Sequence, residues 1–261
     1  MTTQLLPHAD ARFILMSDFD GTITERDSND TATDDLGFGV DRRRELNVDI
    51  LNHNKTFRDA FAEMLESVSK NGHSFEDVRQ YLVKHITLDA GFKTCYKWCE
   101  AHDVPVVIVS SGMKPIIEAI FANLVGEQDA AKIDIIANDV DISDNGSWKI
   151  KFRHPESGFG HDKSRATAPY RDLAHRPTIF FCGDGVSDLS AAKAADLLFV
   201  KVIPGYIRQQ FVSHTNDLSV HCDRENIPYI PFETFDKVQE VIARIVDGKS
   251  TVQDELAQHK K

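Results

Sequence analysis

Two aspartates separated by a single residue follow the first apolar run of the chain. The run Phe13–Ser17 has the length of one strand, and Asp18 and Asp20 come directly after it, followed by Gly21. Ligands bind open α/β sheets at the carboxyl ends of the strands, so both carboxylates would face such a ligand. Carboxylates placed in this way can act as nucleophile, general acid–base or metal ligand. The competing interpretation is an acidic turn that only ends the strand, and Asp-x-Asp alone does not decide between the two.

A short turn of small residues forms a second element. Ser110, Ser111 and Gly112 follow the apolar run Val106–Val109, and Pro115 then opens a predicted helix. A strand, a small turn and a helix start with proline near its first turn offer backbone N–H groups to an anion. The competing interpretation is an ordinary helix cap made by Ser111.

A lysine and a second pair of carboxylates complete the set. Lys163 stands just before a helical stretch, and Asp184 follows the apolar run Thr178–Cys182, with Asp188 four residues later. Oxygen ligands from two strand ends, Asp18 and Asp184, suit Mg²⁺. A solvated lysine and an acidic helix start are the competing interpretations of these residues.

Taken together and in this order, the four elements resemble the motifs of the haloacid dehalogenase superfamily of phosphotransferases. The chain is most similar to the phosphoserine-phosphatase-like branch, which carries a helical cap between its first and second motifs. One position departs from that branch, because Ser187 stands where phosphoserine phosphatases usually have asparagine. The local sequence Val-Ser-Asp-Leu looks more like phosphatases of other small metabolites, including sugar or polyol phosphates and phosphorylated intermediates of methionine salvage.

The resemblance implies a covalent mechanism. Asp18 would attack phosphorus and form an aspartyl-phosphate, and Asp20 would protonate the leaving oxygen and later take a proton from water. Lys163 would neutralise charge on the transferred group. The implied phosphate ligands are the Ser110 hydroxyl and the backbone N–H groups of Ser111 and Gly112. The implied ligands of Mg²⁺ are Asp18, the backbone carbonyl of Asp20, Asp184 and Asp188.

Apolar runs that alternate with helical patterns predict the fold class. We expect an α/β protein with a doubly wound, mainly parallel, Rossmann-like sheet. The predicted strands are Phe13–Ser17, Val104–Ser110, Ile133–Asn138, Thr178–Cys182, Leu197–Val200 and a possible sixth, Pro228–Ile230. A turn at residues 144–146 predicts a small β-hairpin within Val140–Phe152.

A helical segment separates the first two strands. Apolar stripes in Thr56–Ser69 and Ser74–His85 predict helices there. We therefore expect a catalytic core of residues 1–26 and 89–261 and an inserted all-helical cap of residues 27–88. Substrate choice is assigned to the cap side, with Glu25 after the nucleophile loop and Arg58 in a cap helix. In the phosphoserine-phosphatase branch a cap arginine reaches the substrate carboxylate, but Arg58 on a solvated helix surface is the simpler interpretation.

Composition limits the partners and the location. The net charge of −11 over 261 residues argues against nucleic acid and against anionic membrane surfaces. The first apolar run is too short for a signal-peptide core, and no stretch approaches the roughly 18 apolar residues that span a bilayer. The four cysteines are expected to be free thiols in the cytoplasm, and the histidines are given no metal role. The polar tail from Asp247 to Lys261 is expected to be loosely structured.

These observations predict a magnesium-dependent phosphatase, a phosphoric monoester hydrolase. Its substrate would be a small phosphorylated metabolite, such as a sugar or polyol phosphate, a phosphoserine-like compound or a related phosphomonoester. One alternative is a phosphomutase or phosphotransferase that uses the same intermediate. Another is a catalytically silent phosphate-binding regulatory protein, which should have lost at least one motif residue, whereas Asp18, Asp20, Lys163 and Asp184 are all present. The oligomeric state is not predicted.

Overall fold

A seven-stranded sheet forms the centre of the protein in the computed structural model, which describes residues 6–202 and 217–259. Its strand order is β4-β3-β2-β1-β5-β6-β7, and every neighbouring pair is parallel except β3 and β4. The strands are β1 (Phe13–Ser17), β2 (Val106–Met113), β3 (Asp134–Ile142), β4 (Trp148–Lys151), β5 (Thr178–Gly183), β6 (Leu197–Lys201) and β7 (Ile230–Phe232).

The central strand shows why its sequence is continuously apolar. Successive side chains of a strand point to opposite faces of the sheet. Phe13 and Leu15 pack into one hydrophobic cluster, whereas Ile14 and Met16 pack into a second cluster. Helices therefore cover both faces, as expected for parallel strands. The predicted α/β class with a doubly wound, Rossmann-like sheet is confirmed, as is the antiparallel hairpin of β3 and β4.

The described residues contain twelve α-helices and one short 3-10 helix, Val186–Asp188. They are α1 (Ser28–Leu36), α2 (Val40–Leu51), α3 (Phe57–Lys70), α4 (Phe75–His85), α5 (Phe92–Ala101), α6 (Lys114–Val125), α7 (Glu127–Ala130), α8 (Ser164–Arg171), α9 (Leu189–Ala192), α10 (Asp217–Glu225), α11 (Phe235–Val246) and α12 (Val252–Gln258). None of these helices is long and apolar enough to cross a membrane.

Helices α1 to α4 lie between β1 and β2 in the chain. The stripe predicted for α3 is buried, and α4 begins with a capping box between Ser74 and Asp77. The chain leaves and re-enters the sheet region at adjacent points, because Thr24 and Leu88 form an antiparallel bridge. The backbone N–H of Glu25 also donates to the Thr87 carbonyl at 3.0 Å. The division into a core and a cap of residues 27–88 stays a prediction.

Some predicted boundaries are wrong. Strand β2 does not end at Ser110 but continues to Met113, with a register shift after Val109, so the predicted turn is an irregular extended segment. Strand β7 is Ile230–Phe232, rather than Pro228–Ile230, because Ile230 and Phe232 supply its buried side chains.

The C-terminal tail is more ordered than its composition suggests. A capping box between Thr251 and Asp254 starts α12, and the buried Glu255 carboxylate accepts two hydrogen bonds from Arg244 at 2.7 Å. The expectation of a loosely structured tail is therefore wrong up to residue 259, while residues 260–261 lie outside the described part. The four cysteines are buried free thiols, as predicted: Cys95, Cys99, Cys182 and Cys222.

Candidate active site

The carboxyl ends of β1, β2 and β5 meet at one edge of the sheet. Asp18 follows β1, and its backbone N–H continues the strand pairing by donating to the Cys182 carbonyl at 2.9 Å. Asp184 follows β5, so the two carboxylates that are distant in sequence come to lie side by side. Both residues are nearly fully buried, at 5% and 6% exposure.

A buried lysine links two carboxylates of this group. Lys163, directly before α8, is inaccessible to solvent, and its Nζ lies 2.8 Å from Asp18 Oδ1 and 2.7 Å from Asp188 Oδ1. The other oxygen of Asp188 accepts hydrogen bonds from the backbone N–H groups of Asp184 and Gly185, at 3.0 and 3.2 Å. The lysine and the loop after β5 are thus fixed by one aspartate.

The negative charge of this cluster exceeds what the lysine supplies. Burial, and then repulsion by Asp188, raises the pKa of Asp18 well above its usual value, although Lys163 opposes the shift. The pKa of Asp184 is raised in the same way, by burial and by its two carboxylate neighbours. Burial lowers the pKa of Lys163, but Asp18 and Asp188 outweigh burial and raise it overall. Three carboxylates therefore share one cation.

Oxygen atoms of Asp18, Asp184 and Asp188 lie within 4.8 Å of one another. An all-oxygen donor set with uncompensated negative charge fits a hard divalent cation such as Mg²⁺. The structure thus brings together three of the four residues predicted to hold the metal. The carboxylate of the fourth, Asp20, lies outside the cluster, so its predicted metal role rests on its backbone carbonyl and stays a prediction.

The amino terminus of α1 holds the carboxylate of Asp20. Oδ1 accepts from the backbone N–H of Ser28 at 2.8 Å, and Oδ2 accepts from Asn29 Nδ2 at 3.0 Å. Burial, and then the nearby Asp27 carboxylate, raises the pKa of Asp20 to about 7. Asp20 can therefore carry or release a proton near neutral pH, as a general acid–base requires.

Two glycines allow the loops to approach the carboxylates. Gly21 has a φ of +73°, and a Cβ at this position would lie 2.7 Å from Asp184 Oδ2. A Cβ on Gly112 would lie 2.9 Å from Asp20 Oδ2. Neither position has room for another residue unless a carboxylate moves.

The segment of small residues in the last part of β2, Ser110–Gly112, is held by side chains that the sequence analysis did not single out for the site. Ser110 Oγ accepts from the Gly112 N–H at 2.9 Å, while the Ser110 carbonyl accepts from His161 Nδ1 at 2.7 Å. Asn138 Nδ2 donates to the Ser111 carbonyl at 2.7 Å. Burial lowers the pKa of His161 to about 3, so the ring is neutral and Nδ1 carries its proton. Only the fold reveals these contacts, because no motif includes Asn138 or His161.

A cavity of about 60 Å³ opens between the strand ends and helices α1 to α3. The strand-end side includes the predicted residues Asp18, Asp20, Asp184 and the segment Ser110–Gly112. The helical side is lined by Asp27, Asn29, Asp30, Asn47, Ile50, Phe57, Phe61 and Met64. We call this second set the helical wall.

Two predicted substrate-binding residues lie elsewhere. The guanidinium of Arg58 donates to the Pro155 carbonyl at 2.5 Å and to Asp59 Oδ1 at 2.8 Å. The Glu25 carboxylate accepts from Thr87 Oγ1 at 2.7 Å. Neither residue lines the cavity. Contrary to the prediction, the structure places neither side chain beside the cavity, because contacts with residues distant in sequence occupy both of them.

Comparison with known proteins identifies the family. Residues 15–193 match the family model of the haloacid dehalogenase-like hydrolases, and these residues include all four motifs. The polyol phosphate phosphatase PYP1 of Saccharomyces cerevisiae is 42% identical over 92% of this chain and 96% of its own length. The Pdp3-interacting factor 1 of Schizosaccharomyces pombe is also 42% identical, over 88% of this chain and 95% of its own.

The chain belongs to the haloacid dehalogenase-like hydrolase family. A solved phosphoserine phosphatase from T. onnurineus shares the fold, with a TM-score of 0.57 and 16% identity over 90% of this chain and 96% of its own. The predicted superfamily membership, and with it the prediction of an enzyme of the phosphoric monoester hydrolase class, is confirmed.

Proposed function

We propose that this enzyme is a magnesium-dependent phosphatase that hydrolyses a small polyol phosphate through an aspartyl-phosphate on Asp18. The observation that carries the proposal is the buried Asp18–Lys163–Asp188 arrangement, which opens into a cavity beside Asp20 and Asp184. Further support comes from the relative named as a polyol phosphate phosphatase, which is similar over nearly the whole chain.

Asp18 is oriented for attack on phosphorus. The Lys163 ammonium and the backbone N–H of Phe19 both contact its Oδ1, at 2.8 and 2.7 Å, so we assign the attack to Oδ2. A bond forms from Oδ2 to phosphorus as the bond to the leaving oxygen breaks, which divides one difficult displacement into two easier ones. The Ser110 hydroxyl and the backbone N–H of Ser111 bind the non-bridging oxygens, while the Gly112 N–H orients the Ser110 hydroxyl by donating to its oxygen.

Asp20 moves the proton in both steps. In its protonated form it donates to the leaving oxygen, and the resulting carboxylate then takes a proton from the water that attacks the aspartyl-phosphate. A pKa of about 7 suits both roles. Mg²⁺ would be held by Asp18, Asp184, Asp188 and the Asp20 carbonyl, where it would offset repulsion between the carboxylate and the phosphate.

The charges of the cavity favour a substrate whose leaving group is uncharged over phosphoserine, whose leaving group carries a carboxylate. The helical wall carries the acidic side chains Asp27 and Asp30; Arg43 pairs with Asp30 from outside the cavity, and no lysine or arginine of the described residues lines the wall itself. A substrate carboxylate would meet negative charge there without a cation to pair with, which is costly in a buried site. Uncharged hydroxyl groups meet no such repulsion.

The test is release of inorganic phosphate from a panel of polyol, sugar and amino-acid phosphates, with Mg²⁺ and without an added acceptor. We expect the highest kcat/KM with a short polyol phosphate and loss of turnover after chelation of the metal. Turnover only in the presence of an acceptor hydroxyl would instead support a phosphotransferase. A preference for phosphoserine would contradict the charge argument.

A further inference from the structure

An asparagine on the helical wall has no hydrogen-bond partner among residues 6–202 and 217–259. Asn47 of α2 is 1% exposed, and within the described part of the chain neither Nδ2 nor Oδ1 makes a hydrogen bond. Asn47 also lines the cavity beside Asp18. A buried amide without partners is unfavourable, and native proteins satisfy nearly all such groups. An unpaired amide at the edge of a substrate cavity therefore points to a ligand that completes its hydrogen bonds.

The helix cannot easily turn to relieve this amide, because Arg43 holds it in place. Arg43 lies four residues before Asn47, so both side chains project from the same face of α2. Its Nη1 lies 2.6 Å from Asp30 Oδ2, and its Nε and Nη2 each lie 2.7 Å from an oxygen of Asp34. These bonds attach the inner face of α2 to α1 and fix the position from which Asn47 projects.

We propose that Asn47 binds a hydroxyl group of the substrate's carbon chain, and thereby selects polyol phosphates. This inference rests on the proposed phosphatase function. A hydroxyl both donates and accepts, so it can satisfy Oδ1 and Nδ2 together, whereas a carboxylate can only accept and would leave Oδ1 unpaired. The apolar side chains of Ile50, Phe61 and Met64 line the same wall and offer surface to the carbon atoms.

The experiment compares two substrates that differ only in hydroxyl groups, glycerol 3-phosphate and propyl phosphate. The variant Asn47→Leu keeps nearly the same shape but can form no hydrogen bond. We expect the ratio of kcat/KM for glycerol 3-phosphate to that for propyl phosphate to fall about tenfold or more, since two hydrogen bonds are lost. The matched control is Asn54→Leu at an exposed position nearby, which should leave the ratio at its wild-type value.

A second measurement separates recognition from a structural role. Because Asn47→Leu removes an unpaired buried amide, the Tm of the free protein should rise while selectivity falls. An unchanged ratio with a raised Tm would overturn the proposal, because the amide would then be only an unsatisfied core group. If Asn47→Leu lowers the Tm, Asn47→Ala is measured with the same substrate pair, and an unchanged ratio again overturns the proposal. Failure of the wild-type enzyme to hydrolyse either ester would overturn the phosphatase function itself, a result distinct from loss of selectivity alone.

Discussion

The carboxylates at the strand ends and the buried amide of Asn47 on the helical wall differ in how their hydrogen bonds are satisfied. At the strand ends, both oxygens of Asp188 and both oxygens of Asp20 accept hydrogen bonds from the protein itself. On the helical wall, Asn47 is equally buried but has no partner among the described residues. Groups that react must be in position before the substrate arrives, since reorganisation during the reaction raises the barrier. A group that recognises the substrate can instead leave its hydrogen bonds for the substrate to complete.

The largest expected effect lies at the strand ends. Asp18→Asn keeps the size of the side chain but removes the nucleophile, so we expect kcat to fall by more than about a thousandfold. Phosphate release under saturating substrate measures the loss, with circular dichroism to verify the fold. The same substitution at the exposed Asp144 is the control. Near-wild-type turnover of Asp18→Asn would exclude the covalent mechanism.

Asp20 stands between the two sides, because α1 contributes to the helical wall and also binds its carboxylate. Asp20→Asn removes the proton donor, and we expect kcat/KM for a polyol phosphate to fall about a hundredfold or more. With p-nitrophenyl phosphate the loss should be much smaller, because a good leaving group needs little protonation. Equal losses for the two substrates would contradict the role assigned to Asp20.

Loss of the ion pairs that attach α2 to α1 should have a smaller effect, and it should affect the stability of the protein. Arg43→Met leaves two partly buried carboxylates without their cation, and we expect a loss of about 2–3 kcal/mol in the free energy of unfolding. The neighbouring Arg42 is 44% exposed on its side chain and pairs with surface glutamates, so Arg42→Met should cost less than about 1 kcal/mol. Urea unfolding at neutral pH measures both variants. Equal losses would mean that Arg43 does not fasten α2.

The smallest effect concerns the histidine beneath Ser110. The folded-state pKa of His161 is about 3, below its ordinary value of 6.5, so the unfolded chain binds a proton first as the pH falls. The free energy of unfolding is therefore unaffected by this histidine above about pH 6.5 and falls progressively toward about pH 3. At about pH 5 the loss is about 2 kcal/mol.

His161→Asn can keep the hydrogen bond to the Ser110 carbonyl but cannot titrate, so its stability should fall less steeply between about pH 7 and pH 5. His175→Asn, at an exposed position, serves as the control and should follow the wild type. Parallel pH profiles for the wild type and His161→Asn would contradict the assignment of a neutral, buried ring.

How far sequence alone predicts the two sides also differs. Asp18 and Asp184 could be placed because a buried strand locates its own carboxyl end, and parallel strands bring those ends together. Asn47 could not be placed, since only Leu46, Asn47 and Ile50 of α2 are buried and their pattern carries no motif. The prediction that Arg58 contacts the substrate also lacked a motif that could decide it. Which face of α3 it occupies depends on docking against Pro155, which lies 97 residues away in the chain.

The bridge between Thr24 and Leu88 has a consequence for how such enzymes diversify. Because α1 to α4 begin and end at hydrogen-bonded neighbours, β1 and β2 keep their register whatever the length of the chain between them. Lengthening a loop whose ends already meet adds little entropic cost. The segment from α2 to α4, which carries Asn47, can therefore change in length at little cost, whereas the start of α1 is constrained because Ser28 and Asn29 hold the Asp20 carboxylate.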